Sequence, residues 1–189
     1  MDEVSRGRVV SRDGTEIAYE RYGAGRAVVL VDGPDGAGRV LAGLLARRFR
    51  VVTYERRGAA AVEREIEDLA AVLGAAGPGA ALHGAGTGAV LALAGAAAGL
   101  PVGAVSVYEP EPLADGLVRT VRARVLVVDG GASPAAVRRT ARDLSASLPR
   151  ARHRTLTGQT GEVAPHVLAP VLAEFLEEPP EGPVQAVSV

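Results

Sequence analysis

Short apolar runs alternate with Ala-rich segments of helical period along nearly the whole chain, and this alternation restricts the fold more than any other feature. Residues 27–31, 50–54, 80–83, 102–108 and 123–129 are apolar at almost every position, as strands covered on both faces must be. Between them, residues 39–48, 61–76 and 87–98 carry helical patterns. In 61–76, Val62, Ile66, Leu69, Ala70 and Leu73 share one face, with acids and Arg opposite. Parallel strands need crossover connections, so strand–helix–strand alternation predicts an α/β fold with helices on both sides of a mostly parallel sheet. At the start, residues 7–11 and 16–22 alternate around Asp13-Gly14, predicting an antiparallel hairpin. A short helix near 113–121, a helix over 134–148, a strand over 151–156 and a helix over 165–177 complete one domain spanning 1–178. Residues 179–189, with Pro179, Pro180 and Pro183, read as a loose tail.

Composition removes whole classes of function. The 189 residues carry a net charge of -1, which gives no electrostatic case for nucleic acid or an anionic membrane. With no Cys and only three scattered His (His83, His153, His166), disulfides, thiolate chemistry and a metal centre are not expected. Every basic residue is Arg, and Lys and Asn are absent, a bias expected of GC-rich, actinobacterial-type coding. The start lacks a basic-then-apolar leader and no apolar run is long enough to span a bilayer, so the expected location is cytoplasmic. No cofactor is expected.

Gly84-Ala85-Gly86-Thr87-Gly88 lies between the predicted strand 80–83 and the helix 87–98. Four further phrases stand around it in order: Asp13-Gly14-Thr15-Glu16-Ile17-Ala18-Tyr19, Val28-Val29-Leu30-Val31-Asp32-Gly33, Val52-Thr53-Tyr54-Glu55-Arg56-Arg57-Gly58 and Leu156-Thr157-Gly158-Gln159-Thr160-Gly161. Together they resemble the α/β-hydrolase superfamily. The first is similar to its opening hairpin, the second to its strand and His-Gly, the third to its D-x-R-G segment and the fourth to the loop that presents the catalytic His. The glycine-rich turn is similar to the G-x-S-x-G elbow.

The resemblance implies a three-layer α/β-hydrolase-like sandwich and assigns the triad to positions that cannot serve it. The nucleophile position is Gly86, the His position Gly161, and the acid position falls at Ala132 or Ser133. Of the two oxyanion donors implied, one is the Thr87 N–H. The other maps near Pro34, which has none. Residues 109–122 leave no room for the several-helix lid usual between those strands.

Ligands in such sheets bind beyond the carboxyl ends of the strands, where Asp32, His83, Glu109 and Asp129 are expected, with Thr87 at the helix start. An Asp32–His83 pair would orient a general base with Glu109 as a second acid. The plainer alternative is that His83 packs beside the elbow and Asp32 caps a turn. Thr87 is either a displaced nucleophile served by His83 or simply the first residue of a helix. Gly33, Pro34, Gly84, Ala85 and Gly86 would face a ligand, the glycines and the helix start offering free N–H groups. Arg56 and Arg57 would clamp an anion or pair with Glu63, Glu65 or Glu67 on the next helix. His166 and His153 read as an exposed helix position and an edge-strand position.

Three functions follow as expectations. The leading one is a lidless, triad-less protein that does not hydrolyse esters. It would bind a small apolar metabolite or promote cyclase- or isomerase-type chemistry of secondary metabolism by positioning. The alternatives are an ester or lactone hydrolase using His83 with Thr87 or Glu109, and a non-catalytic binding or assembly protein, a pseudoenzyme. A homo-oligomer covering the open site is a further expectation.

Overall fold

In the computed structural model, which describes residues 4–31, 36–58, 60–113 and 119–178, the apolar runs form the strands of one eight-stranded sheet. The elements are β1 (Ser5–Val10), β2 (Glu16–Tyr22), β3 (Ala27–Leu30), α1 (Gly36–Leu45), β4 (Arg50–Tyr54), α2 (Val62–Ala76), β5 (Ala81–Ala85), α3 (Gly86–Ala97), β6 (Ala104–Tyr108), β7 (Arg124–Gly130), α4 (Ala135–Ser147), β8 (Ala151–Leu156) and α5 (Pro165–Glu177). The strand order is β1-β2-β4-β3-β5-β6-β7-β8. Only β1–β2 and β2–β4 pair antiparallel, and every later pair is parallel.

Burial follows the chemistry of the runs. All residues of β3, β6 and β7 are buried, because helices cover both faces. One core lies under α2, α3 and α4, around Leu69, Leu91, Val105 and Val127. The other lies under α1 and α5, around Leu45, Tyr108, Val128 and Leu172. Helix α3 is apolar on all sides, and Leu91, Ala92, Leu93 and Ala94 are all buried, as such a helix must be. The chain moves outward from β3 to β4 and then returns across β3 to β5. That reversal places a topological switch point at the carboxyl ends of β3 and β5, the position where open α/β sheets bind ligands.

The connection between β6 and β7 is confined to residues 109–123, so no lid domain lies between them. The centre of the helix expected near 113–121 falls outside the described residues, as do Asp32, Gly33, Pro34 and the tail. Strand β5 runs two residues beyond its expected end, carrying the ladder into the elbow through the Gly84–Val107 and Ala85–Tyr108 pairs. Among the described residues no helix is long and apolar enough to cross a membrane.

Candidate functional site at the carboxyl end of the sheet

The turn from β5 into α3 is a strand-to-helix elbow, and two glycines are demanded by its geometry. Gly86 holds φ +50°, in the left-handed region where side chains are strained. Gly84 sits so close to the start of α3 that a Cβ there would lie 2.3 Å from the Gly88 carbonyl oxygen. At Gly86, by contrast, a Cβ would meet nothing within 4 Å, so the turn opens directly outward. Thr87 is exposed, and its hydroxyl accepts a hydrogen bond from Arg56 Nη1 at 3.3 Å, a cation rather than a base.

The two arginines after β4 are engaged by acids. Arg56 makes a bidentate pair with Glu65 at 3.0 and 2.9 Å. Arg57 donates to Asp13 at 2.6 and 3.1 Å and to both oxygens of Asp68, tying the β1–β2 turn to α2. The Arg57 guanidinium holds the Asp13 carboxyl well below the usual carboxylate range, and the Thr15 N–H adds to the effect. These pairs make Arg56 and Arg57 bracing residues that join the hairpin, β4 and α2.

His83 is 2% exposed within the sheet. The Ser106 hydroxyl donates to the Leu82 carbonyl at 3.3 Å, so the 3.0 Å contact between His83 Nδ1 and Ser106 Oγ is donated by the ring. Burial pushes the imidazole down to about 4, which keeps it neutral. His83, Thr87 and Glu109 thus each have a different partner: Ser106, Arg56 and Ser133. Asp129 is fully buried and pairs with His153 Nε2 of β8 at 3.1 Å, leaving Asp129 Oδ1 without a hydrogen-bond partner. His166 is exposed and lines a groove between α1 and α5 with Arg47 and Phe49.

The one sequence candidate set into the site by several contacts is Glu109, directly after β6. It is the only non-glycine residue with positive φ among the described residues, at +44°. Its Oε1 accepts the Gly130 N–H at 2.9 Å and the Ser133 hydroxyl, and its own N–H donates to the Val128 carbonyl at 2.9 Å. Its Oε2 lies 3.4 Å from where a Cβ of Gly161 would stand. The loop carrying Gly161 is fixed in turn. The Tyr108 hydroxyl donates to the Thr160 carbonyl at 2.5 Å, and the Ala132 N–H donates to the Gln159 carbonyl at 2.9 Å. Burial, with the Glu109 charge beside it, pushes the Tyr108 hydroxyl well above the usual phenol range, so it stays a donor.

The sequence pointed to Glu109 and Ser133 separately, one as a candidate acid and the other as an unfilled acid position. It did not join them. They are 24 residues apart on different strand ends, and only the β6–β7 register brings them together. Among the described residues no group of three or more His, Asp and Glu side chains gathers as a metal site.

No protein-family model matches the chain, and no curated protein sequence matches it. Solved structures do. An alpha/beta hydrolase from Sphaerobacter thermophilus DSM 20745 is 33% identical, with a TM-score of 0.83 over 90% of this chain and 100% of that one. Dienelactone hydrolase from Anabaena variabilis ATCC 29413 is 16% identical, with a TM-score of 0.81 over 93% of this chain and 97% of that one. A thermophilic esterase from Thermogutta terrifontis is 15% identical, with a TM-score of 0.78 over 91% of this chain and 98% of that one. The last two likenesses concern the fold alone.

Proposed function

Because the chain belongs to the α/β-hydrolase superfamily, we propose that it keeps the superfamily's ligand site while lacking its serine chemistry. In this reading it holds a small, largely apolar metabolite over the elbow, for binding or for a rearrangement promoted by positioning. One observation carries the reading. The elbow keeps the backbone conformation of a nucleophile turn, with φ +50° and open space above, on a residue that has no side chain. The position facing the Glu109 carboxylate, where an imidazole would complete a base–acid pair, is likewise glycine, Gly161. Acyl transfer through a covalent enzyme intermediate needs an oxygen nucleophile and a base within hydrogen-bond reach. Of the alternatives, Thr87 is bonded to a guanidinium and His83 is buried against Ser106.

A broad panel of acyl esters and lactones tests this on the wild-type protein, beside His83→Ala and Thr87→Val. The expected result is turnover indistinguishable from buffer in all three. Turnover in the wild type that either substitution abolishes would establish the displaced-residue hydrolase instead.

A further inference from the structure

Glu109 is an acid anchored through one carboxylate oxygen, with the other facing the loop that carries Gly161. The Gly130 N–H and the Ser133 hydroxyl both bond Oε1, and the Tyr108 hydroxyl lies beside the same carboxylate. Oε2 is turned toward Gly161, whose absent side chain leaves the space beside it open, a Cβ there falling 3.4 Å away at ordinary contact distance. The backbone does not require glycine at 161, since its φ lies outside the left-handed region. Glu109 itself is held at φ +44°, a conformation that costs a non-glycine residue free energy. Strain of this kind persists where the surroundings over-determine it, and here the surroundings are the N–H bond to Val128 together with the carboxylate's own bonds. Ala85, in register with Tyr108 on the neighbouring strand, adds apolar surface on the same sheet end.

We propose that the ligand of this site carries a cationic nitrogen, as a protonated amine, amidine or imidazolium, which docks on Glu109 Oε2 beside Gly161. The inference rests on the binding reading above and names the chemistry of its ligand. An anionic group is repelled at this point and a neutral acceptor gains nothing, whereas an N–H cation forms a charge-assisted hydrogen bond. The apolar remainder of the ligand extends toward Ala85.

The test is a titration of the full chain with benzylamine, benzyl alcohol and benzoate, three probes of one shape and different charge. Binding is followed through the amide resonances of Gly130 and Gly161. Benzylamine is expected to bind saturably with Kd of ~1–10 mM, the range of one half-exposed ion pair with a little apolar contact. Glu109→Gln is expected to weaken it at least tenfold. Gly161→Ala, which keeps the carboxylate and both its donors but fills the space, is expected to weaken it comparably. Its melting curve shows independently that it folds. Benzyl alcohol binding as tightly as benzylamine, or benzylamine binding unaffected by both substitutions, overturns the cationic inference while the binding reading stands. If none of the probes binds, both fall. Ester turnover abolished by His83→Ala overturns the non-hydrolytic reading without touching the preference for a cation.

Discussion

The burial of His83 makes a measurable claim about stability that also bears on catalysis. In the folded protein the imidazole is pushed down to about 4 by its removal from water, against an ordinary value near 6.5 in the unfolded chain. Between these two values the unfolded state holds a proton that the folded state does not. Stability is therefore fully present above pH 6.5 and declines as pH falls toward 4. Each pH unit of difference corresponds to about 1.4 kcal/mol, so the loss from this one residue reaches about 3 kcal/mol, a large share of a typical domain's stability. Urea unfolding of the wild type and of His83→Gln at half-unit steps from pH 7.5 to 4 isolates the contribution, because His153, His166 and the carboxylates are common to both. The wild-type curve should fall more steeply, with the difference confined to that window. Parallel curves would refute the burial argument. So would an activity limb near pH 6.5 that disappears with the substitution, because an imidazole that takes up a proton only below about pH 4 is too weak a base to accept one at neutrality.

Two further predictions concern the elbow glycines. Gly84→Ala should destabilise by about 3 kcal/mol or prevent folding, because its Cβ would sit 2.3 Å from the Gly88 oxygen and 2.7 Å from the Ala89 nitrogen, both backbone atoms. A thermal melt within 2 °C of wild type would show that the elbow is looser than described. Gly86→Ser should cost only about 1–2 kcal/mol, the strain of a side chain at positive φ with nothing to clash against, and should create no esterase alone. Adding Gly161→His should raise p-nitrophenyl acetate turnover about 10²-fold over the single variant, the low end of what a positioned base contributes. Equal turnover in the two would mean that Glu109 does not hold a histidine placed at 161.

The fold was legible because its signals are local. Each fully buried strand had to be an apolar run and each crossover a helical pattern, so β3, β4, β6 and β7 could be placed to within about two residues of their ends. The strand order was reachable only through the likeness of several phrases in sequence, since periodicity says nothing about which strands become neighbours. The site was less legible for a related reason. An Asp32–His83 pair is expected only from the adjacency of two strand ends, and Asp32 lies outside the described residues. At His83 the β5–β6 register, which no periodicity signals, sets Ser106 beside the ring. Arg56 and Arg57 carry no mark in the sequence to separate a ligand clamp from a brace, and their pairs with Glu65 and Asp68 appear only once α2 is laid against β4.

Two of the left-handed residues at this end of the sheet, Gly86 and Glu109, have different origins, and the difference bears on where the site's chemistry lies. Gly86 is left-handed because α3 must begin immediately after β5 with Gly84 against Gly88, a packing requirement that would hold with or without a nucleophile. Glycine there removes the strain that a catalytic side chain would carry. Relief of that kind is the expected direction once chemistry stops demanding otherwise, since strained active sites trade stability for activity. Glu109 runs the other way. Its N–H is tied to the Val128 carbonyl and Pro110 follows it, yet a glycine at that position would avoid the strain altogether. Beside that backbone bond, the Gly130 N–H and the Ser133 hydroxyl hold one carboxylate oxygen, an arrangement whose effect is to fix the other oxygen beside Gly161. In the proposed binding reading the elbow serves as a floor, and the strained acid after β6 is the group that faces the ligand resting on it.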